Sequence, residues 1–269
     1  MPHHARTQDD RRQAVENGLQ DGFTNVRNPA LTRPAPGEQV IHPAVRLALE
    51  ALERSNVQWC VLRGESDLAS LDGDVDLLVA RGDMPRLRDA LAALGYVPVR
   101  AWGRGPHRFF VAHDEARASR VKLDVVTQLA YGRYQELRTA AAGGCLARRR
   151  YVGALALLSP DDAFWALLLH CMLDREAFSA AHRGRLLELA GAADCDSELG
   201  NIANAAFAEC WGEATVLELV RAEDWTALTT IAKEARSNRV NGRRLEMRLR
   251  VLVNRALRRA SNVLPFARR

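Results

Sequence analysis

Leu71-Asp72-Gly73-Asp74-Val75-Asp76-Leu77-Leu78-Val79 is the stretch of sequence that decides the fold of this chain. The β-branched, apolar run after Gly73 is typical of a strand, whose side chains alternate between two faces. Asp74 and Asp76 therefore fall on one face, and Val75, Leu77 and Val79 fall on the other. Two neighbouring carboxylates repel each other unless a cation lies between them, and Mg²⁺ prefers such oxygen ligands. The pair predicts a metal site or, because Asp-Gly sequences form turns, a turn before an ordinary strand.

The segments on either side predict a small sheet. Helical periodicity over 43–56 precedes an apolar strand over 57–62, and a second helix is expected over 84–94 with Gly95 as its stop. Further strands are predicted at 96–100, 108–113 and 121–126. The order helix, strand, strand, helix, strand, strand, strand contains too few βαβ units for a doubly wound sheet. We expect an α+β fold with a sheet of mixed direction.

The pattern becomes helical after about residue 135. Ser159 and Asp162 fit an N-terminal cap for an apolar helix over 164–173. Other helices are predicted at 186–193, 202–211, 214–220 and from 241, whereas 151–158 suits either a strand or a helix. We expect a disordered tail over 1–40, an α/β domain over 41–135, and a helical domain over 136–269 that ends in a basic helix.

Composition limits the class of protein. Hydrophobic residues make up 48% and charged residues 26% of the 269 residues, as in an ordinary globular protein. The longest apolar run, 163–173, contains His170 and is too short to cross a bilayer, and the first ten residues lack the apolar segment of a secretory signal. Five scattered cysteines without a CxxC pair are typical of reduced core residues. We expect a cytoplasmic protein with no transmembrane segment.

Charge is unevenly distributed along the chain. Residues 231–269 hold 12 Lys and Arg against two acids, a net charge of +10, while the first 230 residues carry a net −5. Such a block usually forms a solvated helix face or tail, and less often a surface for nucleic acid or anionic lipid.

A third carboxylate, Asp124, lies on the separate strand predicted over 121–126. Three carboxylates that converge from two adjacent strands can hold two divalent ions about 3.5–4 Å apart, the arrangement used for in-line phosphoryl transfer. Burial of an unpaired acid between Leu123 and Val125 would be costly, which favours a functional role. Asp124 could also accept the proton of an attacking hydroxyl.

Three motifs together resemble the nucleotidyltransferase superfamily, which has the DNA polymerase β-like fold: Leu62-Arg63-Gly64-Glu65-Ser66, Gly73-Asp74-Val75-Asp76-Leu77-Leu78-Val79 and Leu123-Asp124-Val125-Val126. The superfamily has a Gly-Ser or Gly-Gly turn after the first strand, then Asp-x-Asp, then a third Asp on a later strand. With the additional run LLLHCMLD, the chain resembles uncharacterised bacterial nucleotidyltransferase-like proteins over residues 43–175. The α/β domain is then expected to be a nucleotidyltransferase domain.

The resemblance implies a reaction and a set of ligands. A nucleoside monophosphate would pass from an NTP to an acceptor hydroxyl, with two Mg²⁺ ions held by the catalytic residues Asp74, Asp76 and Asp124. The base of the NTP and the acceptor, whether a small molecule, a sugar or a protein, remain open.

The nucleotide phosphates would be bound by Arg63, Gly64 and Ser66, because a Gly-rich turn can present backbone N–H groups to phosphate. Glu65 departs from the family pattern, since it stands where the superfamily has Gly or Ser and would repel phosphate unless it faces away. Lys122, on the same strand face as Asp124, could contact phosphate or pair with the carboxylates.

Three further features have two interpretations each. The loop over 103–108 suits a hairpin turn or a flexible contact to phosphate or acceptor. His170, inside the most apolar helix, favours a satisfied core histidine over a catalyst, and Asp174 with Arg175 favours a helix-end pair over a site.

Two other functions compete with the enzyme. Glu65 favours a degenerate, non-catalytic nucleotidyltransferase fold that binds nucleic acid or a partner protein. A DxD glycosyltransferase would also hold a metal-bound nucleotide, but it normally needs several βαβ units before its DxD, and a single strand precedes Asp74 here.

Overall fold

The computed structural model describes residues 40–64, 68–69, 73–101, 104–132, 135–208, 215–242 and 244–263. Its strands are β1 (Trp59–Arg63), β2 (Val75–Val79), β3 (Val97–Val99), β4 (Arg108–Asp114), β5 (Ser119–Val126), β6 (Ala130–Tyr131), β7 (Leu137–Arg138), β8 (Arg150–Val152) and β9 (Leu155–Leu157). The tail predicted over 1–40 and the turn residues Glu65 and Ser66 lie outside the described residues, except for residue 40.

The helices are α1 (Pro43–Arg54), α2 (Met84–Ala92), α3 (Ala142–Ala147), α4 (Pro160–Leu169), α5 (Ala180–Leu189), α6 (Glu198–Phe207), α7 (Val216–Arg221), α8 (Trp225–Gly242) and α9 (Arg244–Val263). Short 3₁₀ turns occupy Arg81–Asp83, Glu115–Arg117 and Ala190–Ala192, and a π turn, His170–Arg175, follows α4 directly. Among these described helices, none combines the length and the apolar character needed to cross a membrane.

Seven strands form one mixed sheet in the order β3-β4-β5-β2-β1-β9-β8. The pairs β2–β5 and β1–β9 are parallel, and the other neighbours are antiparallel. The prediction of a mixed α/β fold with a mixed sheet is confirmed. The predicted order of elements from residue 43 to 126 is also observed. The two helices in this range begin where their prolines predict, because Pro43 and Pro85 lie in the first turns of α1 and α2.

The segment 151–158, which the sequence left open, lies in the β8–β9 hairpin. Gly153 has a φ of +58° in the turn, and β9 runs parallel to β1, with Val61 opposite Leu157. The sheet therefore extends beyond residue 135, where the sequence predicted a helical domain to begin. Strands and later helices contribute to one continuous apolar core.

Hydroxyl caps set the starts of the later helices. Ser159 Oγ accepts a hydrogen bond from Asp162 N, as predicted for α4, and Ser179, Ser197 and Thr215 cap α5, α6 and α7 in the same way. The starts predicted from apolar spacing alone are therefore displaced by two to six residues: 186, 202 and 214 against Ala180, Glu198 and Val216. Helix α8 was not predicted as a separate element.

Three of the four described cysteines lie in the core, as predicted, whereas Cys195 is only half-buried. Cys60, Cys145 and Cys171 are buried and free, and burial raises the pKa of Cys60 and of Cys171 to about 12. These thiols stay protonated at neutral pH and suit packing rather than nucleophilic chemistry. Cys210 lies outside the described residues.

Candidate functional site

The sheet brings the three predicted aspartates to one face. Parallel strands β2 and β5 are in register so that Asp76 lies directly opposite Asp124. Asp74 precedes Asp76 by two residues, so the two-residue period of a strand directs it to the same side. The predicted convergence of Asp74, Asp76 and Asp124 from two adjacent strands is therefore present.

Two of these carboxylates bind a cationic or imidazole side chain from a neighbouring strand or loop. Arg63, at the end of β1, donates from Nε and Nη2 to Asp76 Oδ2 at 3.0 and 2.8 Å. Burial lowers the pKa of Arg63, but the charge and the hydrogen bond of Asp76 outweigh burial and raise it. His107 Nδ1 lies 2.9 Å from both oxygens of Asp124, whose side chain is only 12% exposed.

The third carboxylate pairs with the predicted lysine. Lys122 Nζ donates to Asp74 Oδ2 and lies 4.3 Å from the centre of the Phe109 ring. Because β5 pairs with both β2 and β4, Lys122 has Asp74 on one side and the aromatic side chain on the other. Of the two interpretations of Lys122, its pairing with the carboxylates is the one observed here.

A cavity of about 520 Å³ opens above these side chains. Five cationic side chains and four carboxylates line it together with two histidines: Arg63, Arg104, Lys122, Arg175, Arg258, Asp74, Asp76, Asp124, Asp174, His107 and His170. The charged side chains of the cavity are nearly balanced in sign, which suits a ligand that brings both anionic groups and cations.

The π turn supplies one wall of the cavity. His170 Nδ1 lies 2.8 Å from Asp174 Oδ2, Arg175 Nε lies 3.4 Å from His170 Nε2, and Gly132 N donates to Asp174 Oδ1 at 2.6 Å. A neutral imidazole with its proton on Nδ1 satisfies both contacts of His170 at once. Asp174 and Arg175 were predicted as a helix-end pair, but each contacts His170 here, and all three side chains line the cavity.

A second cavity, of about 630 Å³, continues from the first along α5. It shares Arg63, Asp74, Asp76, His170 and Arg175 with the first cavity and adds Gly64, His182, Arg185 and Glu188 among others. The two cavities form one cleft between the sheet and the helices, which we call the aspartate cleft.

The predicted phosphate turn is described only in part. Gly64 follows β1 with a φ of +74°, a conformation that glycine adopts without strain, and it lines the aspartate cleft. Arg63 lies on Asp76, rather than standing apart as a phosphate ligand. Ser66 and Glu65 lie outside the described residues, so their predicted roles stay predictions.

The donor atoms of the cleft fit Mg²⁺, because carboxylate oxygens are its preferred protein ligands. Within the described residues no group of three His, Cys, Asp or Glu side chains has the arrangement of a metal site. The carboxylates instead face Lys122, Arg63 and His107, which supply positive charge or a proton where an ion would. A metal held by Asp74 and Asp76 would have to displace the first two of these contacts.

Burial of His170 gives the protein a pH-dependent stability. Burial lowers the pKa of His170 below 6.5, and the charge of Arg63 lowers it further, although Asp174 raises it. The unfolded state binds more protons below about pH 6.5, so the free energy of unfolding falls as the pH drops below that value. We expect His170→Gln to reduce this loss by up to about 1.4 kcal/mol per pH unit.

Urea unfolding of both proteins between about pH 7.5 and about pH 5 measures this effect. His42 and His182 also have pKa values that burial lowers. The variant should therefore still lose some stability as the pH falls, but less than the wild type loses. An unchanged slope in His170→Gln would contradict the assignment.

Several cleft residues were not predicted as part of a site. His107 was placed in a loop with two interpretations, and His170, Asp174 and Arg175 were assigned to core or helix-end roles. An apolar run of this kind predicts a helix but not a π turn, whose extra residue turns this segment toward the cleft. The charge block of the C-terminal segment was the one available signal for Arg258.

Searches of protein-family models, of curated proteins and of solved structures found no match to this chain. The resemblance to nucleotidyltransferases therefore rests on the three sequence motifs.

Proposed function

We propose that the protein is a Mg²⁺-dependent nucleotidyltransferase that transfers a nucleoside monophosphate from an NTP to an acceptor hydroxyl. One observation carries the proposal: Asp76 lies opposite Asp124 across two parallel strands, with Asp74 on the same face, at a cleft lined by cationic side chains. Carboxylates on adjacent strands are suited to hold the ions that phosphoryl chemistry uses.

The cationic side chains of the cleft support an NTP as the substrate. Arg104 and Arg175 line the same cavity as the aspartates, and Arg guanidinium groups bind phosphate through two parallel hydrogen bonds. Arg63 and Lys122 would become available to phosphate oxygens when Asp76 and Asp74 engage metal. The charge of the cleft would then remain balanced as the triphosphate enters.

Asp74, Asp76 and Asp124 are the residues that would hold Mg²⁺. Bound Mg²⁺ neutralises triphosphate charge and activates an acceptor hydroxyl. His107 fixes the orientation of the Asp124 carboxylate through its Nδ1 contact, and the low exposure of Asp124 limits competing contacts with water. In this proposal Asp124 would accept the proton of the acceptor hydroxyl.

Calorimetric titration with ATP, CTP, GTP and UTP, each with and without Mg²⁺, tests the proposal. We expect at least one NTP to bind in a Mg²⁺-dependent way, and Asp74→Asn to weaken that binding by at least about tenfold, or about 1.4 kcal/mol. Asp89→Asn, which changes an exposed acid of α2, is the matched control and should bind as the wild type does.

Absence of binding for all four nucleotides, or equal binding by wild type and Asp74→Asn, would reject the enzyme. Binding of a nucleotide sugar in place of an NTP would favour the glycosyltransferase.

A non-catalytic binding fold is the second candidate, and the pairing of the carboxylates favours it. Asp74, Asp76 and Asp124 each already have a partner in Lys122, Arg63 or His107, so the charges of the cleft are satisfied without an ion. This candidate predicts ligand binding that is independent of Mg²⁺ and releases no pyrophosphate. A pyrophosphate-release assay on the wild type separates the two candidates.

A further inference from the structure

Helix α9 exposes a row of large apolar side chains. The exposed fractions are 75% for Leu245, 55% for Leu249, 60% for Leu252, 55% for Val253 and 40% for Leu257. Their spacing along the helix, i, i+4, i+7, i+8 and i+12, places them on one face. We call this row the α9 stripe.

The α9 stripe differs from the other exposed apolar residues that the structure describes. Those are Val40, Val97, Tyr151 and Val152, which are spread over three parts of the chain. Single exposed apolar residues are common on protein surfaces, whereas a continuous row usually marks a surface that binds a partner.

The charge of α9 indicates the chemistry of that partner. The helix has six arginines and a single acid, Glu246, over residues 244–263. Arg255 and Arg259 are exposed, and the helical period places them on the flank of the α9 stripe next to Leu252. A partner must therefore cover an apolar row and also present negative charge beside it.

Candidate partners differ in whether they can both cover the apolar row and supply negative charge beside it. A second copy of α9 would cover the apolar row but would bring arginines against arginines, which repel. Nucleic acid would supply phosphates but would leave the leucines in water. An anionic phospholipid surface meets both requirements, because acyl chains cover apolar side chains and lipid phosphates bind arginine.

We propose that α9 binds the surface of an anionic membrane and lies parallel to it. The α9 stripe enters the boundary between headgroups and acyl chains, about 5–10 Å deep, and Arg255 and Arg259 remain at the phosphates. The twenty residues of α9 give the contact a length of about 30 Å. This inference goes beyond the proposed enzymatic function and does not depend on it.

The position of α9 relates the membrane contact to the aspartate cleft. Arg258 lines the cleft and directly follows Leu257 of the α9 stripe. A helix held on a lipid surface through its stripe would therefore keep one edge of the cleft close to that surface.

Co-sedimentation of the full chain with vesicles tests the proposal. Vesicles of equimolar phosphatidylcholine and phosphatidylglycerol are compared with vesicles of phosphatidylcholine alone. We expect binding to the anionic vesicles, and at least about tenfold weaker binding to the neutral ones. Raising the ionic strength from about 0.1 M to about 1 M shortens the Debye length from about 10 Å to about 3 Å and should weaken the anionic binding.

Two pairs of variants test the two halves of the contact. Leu249→Gln with Leu252→Gln should weaken binding to anionic vesicles by at least about tenfold, because the apolar area that enters the lipid is lost, whereas Leu249→Met with Leu252→Met should retain it. Arg255→Gln with Arg259→Gln should reduce the preference for anionic vesicles, and the matched Lys variants should keep it. The substituted side chains are exposed, so circular dichroism should show an unchanged fold.

Three results would overturn the proposal. The first is that the protein binds neither the anionic nor the neutral vesicles. The second is a stable dimer in analytical ultracentrifugation that the Leu→Gln pair dissociates. The third is tight binding to nucleic acid that the Leu→Gln pair retains while no vesicle binding is detected.

Discussion

Asn in place of Asp124 is expected to lower the rate of Mg²⁺-dependent nucleotide transfer by about 10²–10⁴-fold. The substitution keeps the size of the side chain and an oxygen that can accept from His107, but it removes the negative charge. In the proposed mechanism that charge would hold a cation opposite Asp76 and would accept the proton of the acceptor hydroxyl. Pyrophosphate release at saturating NTP and Mg²⁺ is the measurement.

Asp114 offers a matched control for this substitution. It is a buried aspartate at the far end of β4, where it contacts Arg117 at 3.1 Å, and it does not line the aspartate cleft. Asp114→Asn therefore removes a buried, paired carboxylate from the same sheet without touching the proposed site. Equal losses of rate in the two variants would show a general effect on the fold and would argue against a catalytic role for Asp124.

Arg148→Met is expected to destabilise the protein by about 3 kcal/mol. Arg148 donates from Nε to Asp162 Oδ2 at 3.1 Å and from Nη2 to Asp162 Oδ1 at 2.8 Å. The Asp162 carboxylate is fully buried, so the loss of the guanidinium leaves it with only neutral hydrogen-bond partners, among them Ser159 Oγ at 2.7 Å and the Cys145 thiol. Because the guanidinium itself is partly exposed, we expect the loss of stability to lie at the low end of the range for breaking a buried ion pair.

Urea unfolding gives the free energy of unfolding for this test. Arg150→Met, two residues further along in β8 and exposed, should change stability by less than about 0.5 kcal/mol. In the double variant Arg148→Met with Asp162→Asn the buried charge is absent, so part of the loss should be recovered. A stability of Arg148→Met close to that of the wild type would contradict the account.

The local elements of the fold could be predicted because their signals are local. Pro43, Gly95 and Ser159 mark helix ends in the sequence and do so in the structure. The β8–β9 hairpin could not be assigned, because its short apolar runs have no distinguishing period and its parallel neighbour β1 is about ninety residues away. Pairing between distant strands depends on the whole fold.

The sequence predicted the three aspartates of the candidate site, but it predicted few of the side chains that contact them. Asp74, Asp76 and Asp124 stand out because acids at the head of, or inside, apolar strands are unusual. The contact between His107 and Asp124 depends on how a loop folds back over the sheet, which no spacing encodes. The π turn that brings His170 to the cleft is hidden in the same way, since its residue types are those of an ordinary helix.

The parallel alignment of β2 and β5 also determines which insertions and deletions the gene could tolerate. Because side chains alternate along a strand, one extra codon between Lys122 and Asp124 would turn Asp124 from the cleft toward the apolar core while Lys122 stayed in place. A codon added in the 3₁₀ turn Glu115–Arg117, before β5 begins, could be absorbed without altering that alignment. Length variation among natural relatives should therefore collect in that turn and be absent from the few residues that hold Asp76 opposite Asp124.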